Sequence, residues 1–270
     1  MRQLSLATAA VCAFAVVGTA EAQTQTHTPV ERVWVDANVG SAWAAESSFA
    51  MDASVDHLGQ AADFGARYHL PRSVSFDVGG GFMFTPMLGA GINAGGSVHE
   101  AKADLSVRLP HPYFADAFAS ASAQTDIPMQ RIERSVHVQA MLVAVQTRHV
   151  RVRAFGGPSW FRIEQDSVTD LTYNQFYFLH SRGNVAELTE YEFERNDGSG
   201  WGFHAGADGS LFFTRIFGVG GFARYSRGAI DLENSVASAL GQQERVSVRA
   251  GGVEVGGGDR KSTRLNSSHH

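Results

Sequence analysis

The chain has 270 residues, of which 44% are hydrophobic and 18% charged, and its formal net charge is −5. An acidic balance without a basic cluster excludes nucleic acid as a partner, and beyond position 22 no apolar run reaches the roughly 18 residues of a membrane-spanning helix. The 29 glycines and 18 phenylalanines suit strands with aromatic girdles better than helices.

Arg2 is followed by an apolar run over 4–17 and then by Gly18-Thr-Ala-Glu-Ala22. The Ala20-x-Ala22 ending suits signal peptidase, so residues 1–22 are expected to be an export signal cleaved before Gln23. About 14 apolar residues are too few for a stop-transfer helix. Cys12, the only cysteine, lies inside this signal, so the exported chain is expected to lack thiol and disulfide chemistry.

The remainder, 23–258, has the length of one domain. Small or apolar residues alternate with polar ones along most of it, which predicts strands with one apolar and one polar face. The first covers 33–44, with Val33, Val35, Ala37 and Val39 opposed to Asp36 and Asn38. After a polar connection comes 61–70, with Phe64, Ala66 and Tyr68 opposed to Asp63, Arg67 and His69. A tight turn at Pro71-Arg72 leads to 74–84, with Val74, Phe76 and Val78 opposed to Ser75 and Asp77, and the glycine-rich 86–96 reads as a loop. The fourth strand, 100–109, alternates most cleanly, with Ala101, Ala103, Leu105, Val107 and Leu109 against Glu100, Lys102, Asp104, Ser106 and Arg108. Pro110-His-Pro112 turns the chain into a fifth strand over 113–123. Strands over 135–146 and 150–163 flank a tight turn at 147–149, and a polar and aromatic insertion, 166–199, follows. Strands over 201–213 and 217–227 form a hairpin about Thr214-Arg215. The tenth starts near Arg245, changes phase at Gly251-Gly252, where a bulge is expected, and stops at Gly258. Residues 259–270 read as an in-frame translation of a sequencing adapter and are set aside from the fold; a polar tail is the alternative.

Tight connections at Pro71, Pro110, Arg148 and Arg215 alternate with longer ones after Ala44, Phe84, Ala123, Ile163 and Arg227. Short turns on one side, long loops on the other and aromatics near strand ends predict an all-β fold. It is a closed, antiparallel, up-and-down transmembrane β-barrel of about ten strands, or eight if the fifth and a neighbour are extended loop. A soluble barrel or sandwich, which would bury the apolar face, is the competing architecture.

Val136-His-Val-Gln-Ala140, Phe155-Gly-Gly-Pro-Ser-Trp160, Phe203-His-Ala-Gly-Ala-Asp208 and the hairpin from Phe212 to Gly221 carry a resemblance to the small, porin-like outer-membrane β-barrel proteins of bacteria. The resemblance implies a monomer in the outer membrane of a Gram-negative-type bacterium. Its implied partners are outer-membrane lipid and the periplasmic chaperone and assembly machinery. It supplies no common catalytic set, and the aromatic C-terminal strand end of such proteins is not found here.

The inward faces then collect Asp63, Arg67, Asp77, Glu100, Lys102, Asp104, Arg108, Arg151, Arg153, His204, Asp208 and Arg224 as a lumen charge ladder. Paired, these groups fill the barrel as an ionic core; unpaired, they line a thin water path. His137, His204 and Asp208 share the inward face, but no nucleophile motif frames Ser210, and no His/Asp group has metal-ligand spacing. No enzyme activity, cofactor or metal is expected. In the 166–199 segment Tyr173, Phe176, Tyr177, Phe178 and Tyr191 stand among acids, either as a ligand-binding surface or as props of a projecting hairpin. The expected role is envelope structure or passive passage of small solutes. Surface binding through 166–199 is the alternative, and lipid modification comes third.

Overall fold

The computed structural model describes residues 31–264 apart from 148, 215 and 216. Its elements are β1 (Glu31–Ala44), β2 (Ser48–His57), β3 (Gln60–His69), β4 (Ser73–Met83), β5 (Leu88–Pro110), β6 (Phe118–Gln124), β7 (Met129–Gln146), β8 (Val150–Tyr177), β9 (Asn184–Phe212), β10 (Phe217–Glu233), α1 (Ser235–Ala239) and β11 (Arg245–Arg264). Eight strands close a ring in the order β1, β4, β5, β7, β8, β9, β10, β11 and back to β1, with every neighbouring pair antiparallel. Closure leaves no free sheet edge in the ring. Along each ring strand the exterior carries exposed apolar residues, such as Val33, Val35 and Val39 on β1, Phe76 and Val78 on β4, and Trp201, Phe203 and Leu211 on β9. The interior carries buried polar ones, such as Asp36, Asn38 and Asp77. A water-soluble barrel has the opposite arrangement; this one is built for a lipid surround.

The expected ten strands are eight in the ring because three of the predicted segments, 61–70, 100–109 and 113–123, build a second sheet, while the segment expected as a loop, 86–96, supplies a ring strand. β5 is shared. Its first half pairs with β4 and β7, while from Lys102 to Pro110 it pairs with β3 and β6, and β2 lies beyond β3. β8 and β9 run on past the ring as a paired hairpin as far as Tyr177 and Asn184. The second sheet, this hairpin and α1 enclose an apolar core that includes Phe49, Met51, Tyr68, Leu105, Val168 and Val236. The molecule is thus a ring topped by a packed head.

Several expectations change accordingly. The 86–96 segment is ring strand, and the turn that precedes it is held by Thr85 Oγ1, which accepts from Leu88 N at 2.9 Å. With the bonds from Thr147 N to Val150 O and from Phe213 N to Phe217 O it marks one end of the ring, so the Pro71 and Pro110 connections lie at the opposite, head end. Only Phe118–Gln124 of 113–123 is strand, while the polar connection after Ala44 contains β2. β11 shows no register shift at Gly251 and Gly252, although both have positive φ, 83° and 141°. Residues 259–264, set aside above, continue β11 against β1. Ladder bonds are made by main-chain groups that any non-proline residue supplies, so this pairing is independent of where those residues came from. The expected export signal and residues 265–270 lie outside the described residues.

Candidate functional site

Two regions carry chemistry: the ring interior and the head. In the interior Arg153 Nε donates to both oxygens of Asp208, at 3.0 and 3.1 Å, and its guanidinium stacks 4.6 Å from the centre of the Trp34 ring. Asp36 pairs with Arg260 and lies 4.0 Å from Arg153. Arg224 pairs with Asp77 at 3.0 Å and with Glu254. Asn38 Nδ2 links the acids, donating to Asp77 at 2.6 Å and Asp36 at 3.3 Å. Nearer the head Arg131 donates to Glu133 at 2.6 Å and to the Arg249 carbonyl at 2.7 Å. Ser159 Oγ bridges the Nδ1 atoms of His137 and His204, at 2.8 and 2.9 Å. Of the residues predicted to line the lumen, Asp77, Arg151, Arg153, His204, Asp208 and Arg224 are brought together here, all buried.

The other six predicted lumen residues are elsewhere. Asp63, Arg67, Lys102, Asp104 and Arg108 lie on the outer face of the head sheet, and Glu100, on the same face of β5, is also exposed. Arg108 bonds Asp63 at 3.2 Å and packs 3.7 Å from the Phe118 ring centre. The Gln124 amide, at 2.9 Å, and His69, at 2.8 Å, hold the Asp104 carboxyl below its ordinary range. These charges face water because the apolar side of 100–109 faces the head core rather than lipid. Interior members that sequence reasoning missed include Arg131 and Glu133. They continue the inward parity of His137 toward the head, a signal present once β7 is extended back to Met129.

The interior has almost no free volume. The cavity between Trp34, Asp36, Asp77, Arg153, Asp208 and Arg224 measures about 20 Å³, room for a water molecule and not for a solute. Toward the head the space is closed by Phe161, Ile163, Ile230, Leu232, Val248 and Ala250, all at most 2% exposed. The chemistry of this interior is mutual neutralisation: Arg153, Arg224 and Arg260 each face a carboxylate, while Arg153 Nη1, Asn93 Oδ1 and His204 Nε2 have no hydrogen-bond partner among the described residues.

On the head, Tyr173 packs at 5.7 Å from Phe64, and Tyr191 Oη accepts from Asp126 N at 3.1 Å, so these two predicted binding residues support the hairpin. Phe176, Tyr177 and Phe178 are exposed at its far end. Two open clefts of about 920 and 750 Å³ flank the head, the first, polar, between β9, β10 and α1, the second, more apolar, over Asp52, Phe64, Gly65 and Ser106. Among the described residues no group of His, Cys, Asp and Glu side chains is arranged to hold a metal ion.

Among solved structures, the outer-membrane protein OprG of Pseudomonas aeruginosa superposes with a TM-score of 0.53 at 7% identity, covering 88% of this chain and 98% of that one. The fold is that of a small bacterial outer-membrane β-barrel. Ail, the attachment invasion locus protein of Yersinia pestis, aligns over 85% of this chain and 99% of its own at 9% identity, with a TM-score of 0.31, too loose to add to the assignment. No protein-family model and no curated protein matches the sequence.

Proposed function

We propose that the chain is an outer-membrane anchor, a barrel that does not conduct and that holds a rigid external head whose surface does the binding. The reading takes residues 1–22 as an export signal, 259–270 as adapter-derived and the barrel as a monomer, with no catalytic role. The observation that carries it is the filled interior, where Arg153 pairs with Asp208 and lies 4.0 Å from Asp36, Arg224 pairs with Asp77 and Glu254, the space between them is about 20 Å³, and an apolar lid closes the head end. Among the described residues the interior arginines Arg153 and Arg224 face carboxylates and the space between them holds about one water molecule, which supports a filled barrel over a thin water path. Barrels of about eight strands are filled by their own side chains.

The test is ionic current through the refolded chain in a planar bilayer. A silent, folded barrel is the expected result. Discrete current steps that change when Arg153 is replaced by Gln would instead establish a narrow charged pore and remove the anchor reading.

A further inference from the structure

The head ends in an apolar knob. β8 stays paired with β7 as far as Gln165 and runs twelve residues further, to Tyr177, on the order of 40 Å at the usual strand rise. At that distance Tyr113, Tyr177, Phe178 and Leu179 are 63%, 43%, 63% and 59% exposed. Tyr113 and Tyr177 form one cluster, with ring centres 5.9 Å apart and both packed around His111, at 6.3 and 5.7 Å, and Phe178 and Leu179 follow Tyr177 directly in the chain. The cluster is held in place from below. His111 is buried, and its Nδ1 accepts from Tyr113 N at 3.0 Å and Phe114 N at 3.2 Å, which locks the 111–117 turn against the hairpin tip.

Exposed aromatics on the ring are explained by lipid, but these stand well clear of the ring. A small molecule is a poor fit, because neither of the two clefts on the head includes any of these residues. Charge narrows the occupant further. The hairpin is acidic along its stem, at Glu187, Glu190, Glu192 and Glu194, and the whole chain is acidic, yet the sixteen residues 171–186 contain no carboxylate. Their only ionisable cationic groups are His180 and Arg182, both exposed at the turn. On the hairpin end, aromatic and aliphatic side chains beside an arginine and free of carboxylates match the interface of an anionic bilayer, with rings entering the headgroup region while the guanidinium meets phosphate; the 111–117 turn beside it carries one exposed carboxylate, Asp116.

We infer that the tip formed by Tyr113, Tyr177, Phe178, Leu179 and Arg182 docks into an anionic phospholipid bilayer apposed to the cell surface. This rests on the reading of the head as the working surface. The experiment holds the full chain in nanodiscs of phosphatidylcholine and measures capture of fluorescent vesicles made with and without phosphatidylserine.

The chain captures vesicles, and Phe178→Ser lowers the affinity about ten-fold or more for both kinds. Arg182→Gln lowers it about five-fold, only where phosphatidylserine is present. Both side chains are exposed, and an unchanged far-UV circular dichroism spectrum confirms folding. Absence of capture, or capture indifferent to both variants, overturns the inference and turns attention to a protein partner. Nanodiscs that pair through the tip without vesicles, and stop doing so in Phe178→Ser, overturn it in favour of self-association. A conducting barrel that still captures vesicles contradicts only the anchor reading, and a silent barrel that ignores them contradicts only the tip.

Discussion

Tyr68 shows how a single side chain can tie the two parts of the head together. It is fully buried, stacks 4.7 Å from Phe49, and its hydroxyl accepts from Val168 N at 2.8 Å, joining β3 to the β8 extension. Burial pushes its pKa up to about 12. An acid whose folded pKa is raised contributes stability that is complete below its unfolded value, about 10, and is lost as pH rises through the folded value. The head therefore loosens between about pH 10 and 12. Tyr68→Phe removes that alkaline loss and strands the Val168 amide without an acceptor, at a cost of about 1–3 kcal/mol. Hydrogen exchange at Val168 reads the second effect, and a head that stays as protected in the variant as in the parent would contradict it. In the ring the corresponding residue is Arg153. Arg153→Ala leaves Asp208 as an unmatched buried charge and lowers barrel stability by about 3–5 kcal/mol, whereas Arg153→Leu combined with Asp208→Leu loses less, because neither charge of the pair then remains. Urea unfolding of the three proteins in lipid decides, and a double variant weaker than the single one would refute the pairing.

At the scale of elements, the free edge of β2 is where the head is open to pairing with another chain. The edge is blunted by side chains. Asn234 Nδ2 donates to Asp52 O and Gln242 Nε2 to Ser54 O, both at 2.9 Å, so carbonyls that a further strand would use are already engaged. Asn234 also caps α1 through Oδ1, which accepts from Ala237 N at 3.2 Å. Asn234→Ala removes cap and edge cover together. We expect a loss of about 1–2 kcal/mol in the head and concentration-dependent association of the detergent-solubilised protein, read by light scattering; a variant that stays monomeric at every concentration removes the edge argument. Neither β2 nor α1 was predicted, for different reasons. The β2 alternation, Phe49, Met51, Ala53 and Val55 against Asp52, Ser54 and Asp56, is fully legible, and only its place between two better strands made it read as a connection. α1 spans five residues, too few for a helical period to register. The barrel itself was legible because its dyad pattern repeats on many strands and period-2 order survives one misread segment. The placement of the charges was not, since alternation reports that a strand has two faces and is silent on which solvent each meets.

Across the whole molecule the two solvents can be told apart, because the apolar face changes sides at one level of the ring. On β10 Val219 and Tyr225 point outward to lipid, and five residues later Ile230 and Leu232 point inward; β11 has Val253 and Val255 outward and Val248 and Ala250 inward, with pairing unbroken. β5 does the same, with Ile92 and Val98 outward and Ala101, Leu105 and Leu109 inward. The expected bulge at Gly251-Gly252 was this inversion: the strand keeps its pairing register while its surroundings change from lipid outside and charge inside to water outside and packed core inside. Lys102 and Arg67 therefore belong to water and Val219 to lipid, a distinction the ladder reading of all inward charges erased. Because Cys12 is the only cysteine and lies in the segment read as a cleaved signal, single cysteines can report it. In intact cells Lys102→Cys and Arg67→Cys should react with a membrane-impermeant maleimide. Val219→Cys should resist that reagent, and a fluorophore attached to it after purification should be quenched by lipids brominated on their tails. Asp208→Cys should stay unlabelled by both routes, shielded by the packed interior. Were Lys102→Cys as unreactive as Asp208→Cys, the β5 charges would line the barrel after all, the head would have no independent core, and the apolar inversion would have to be abandoned along with the anchor built on it.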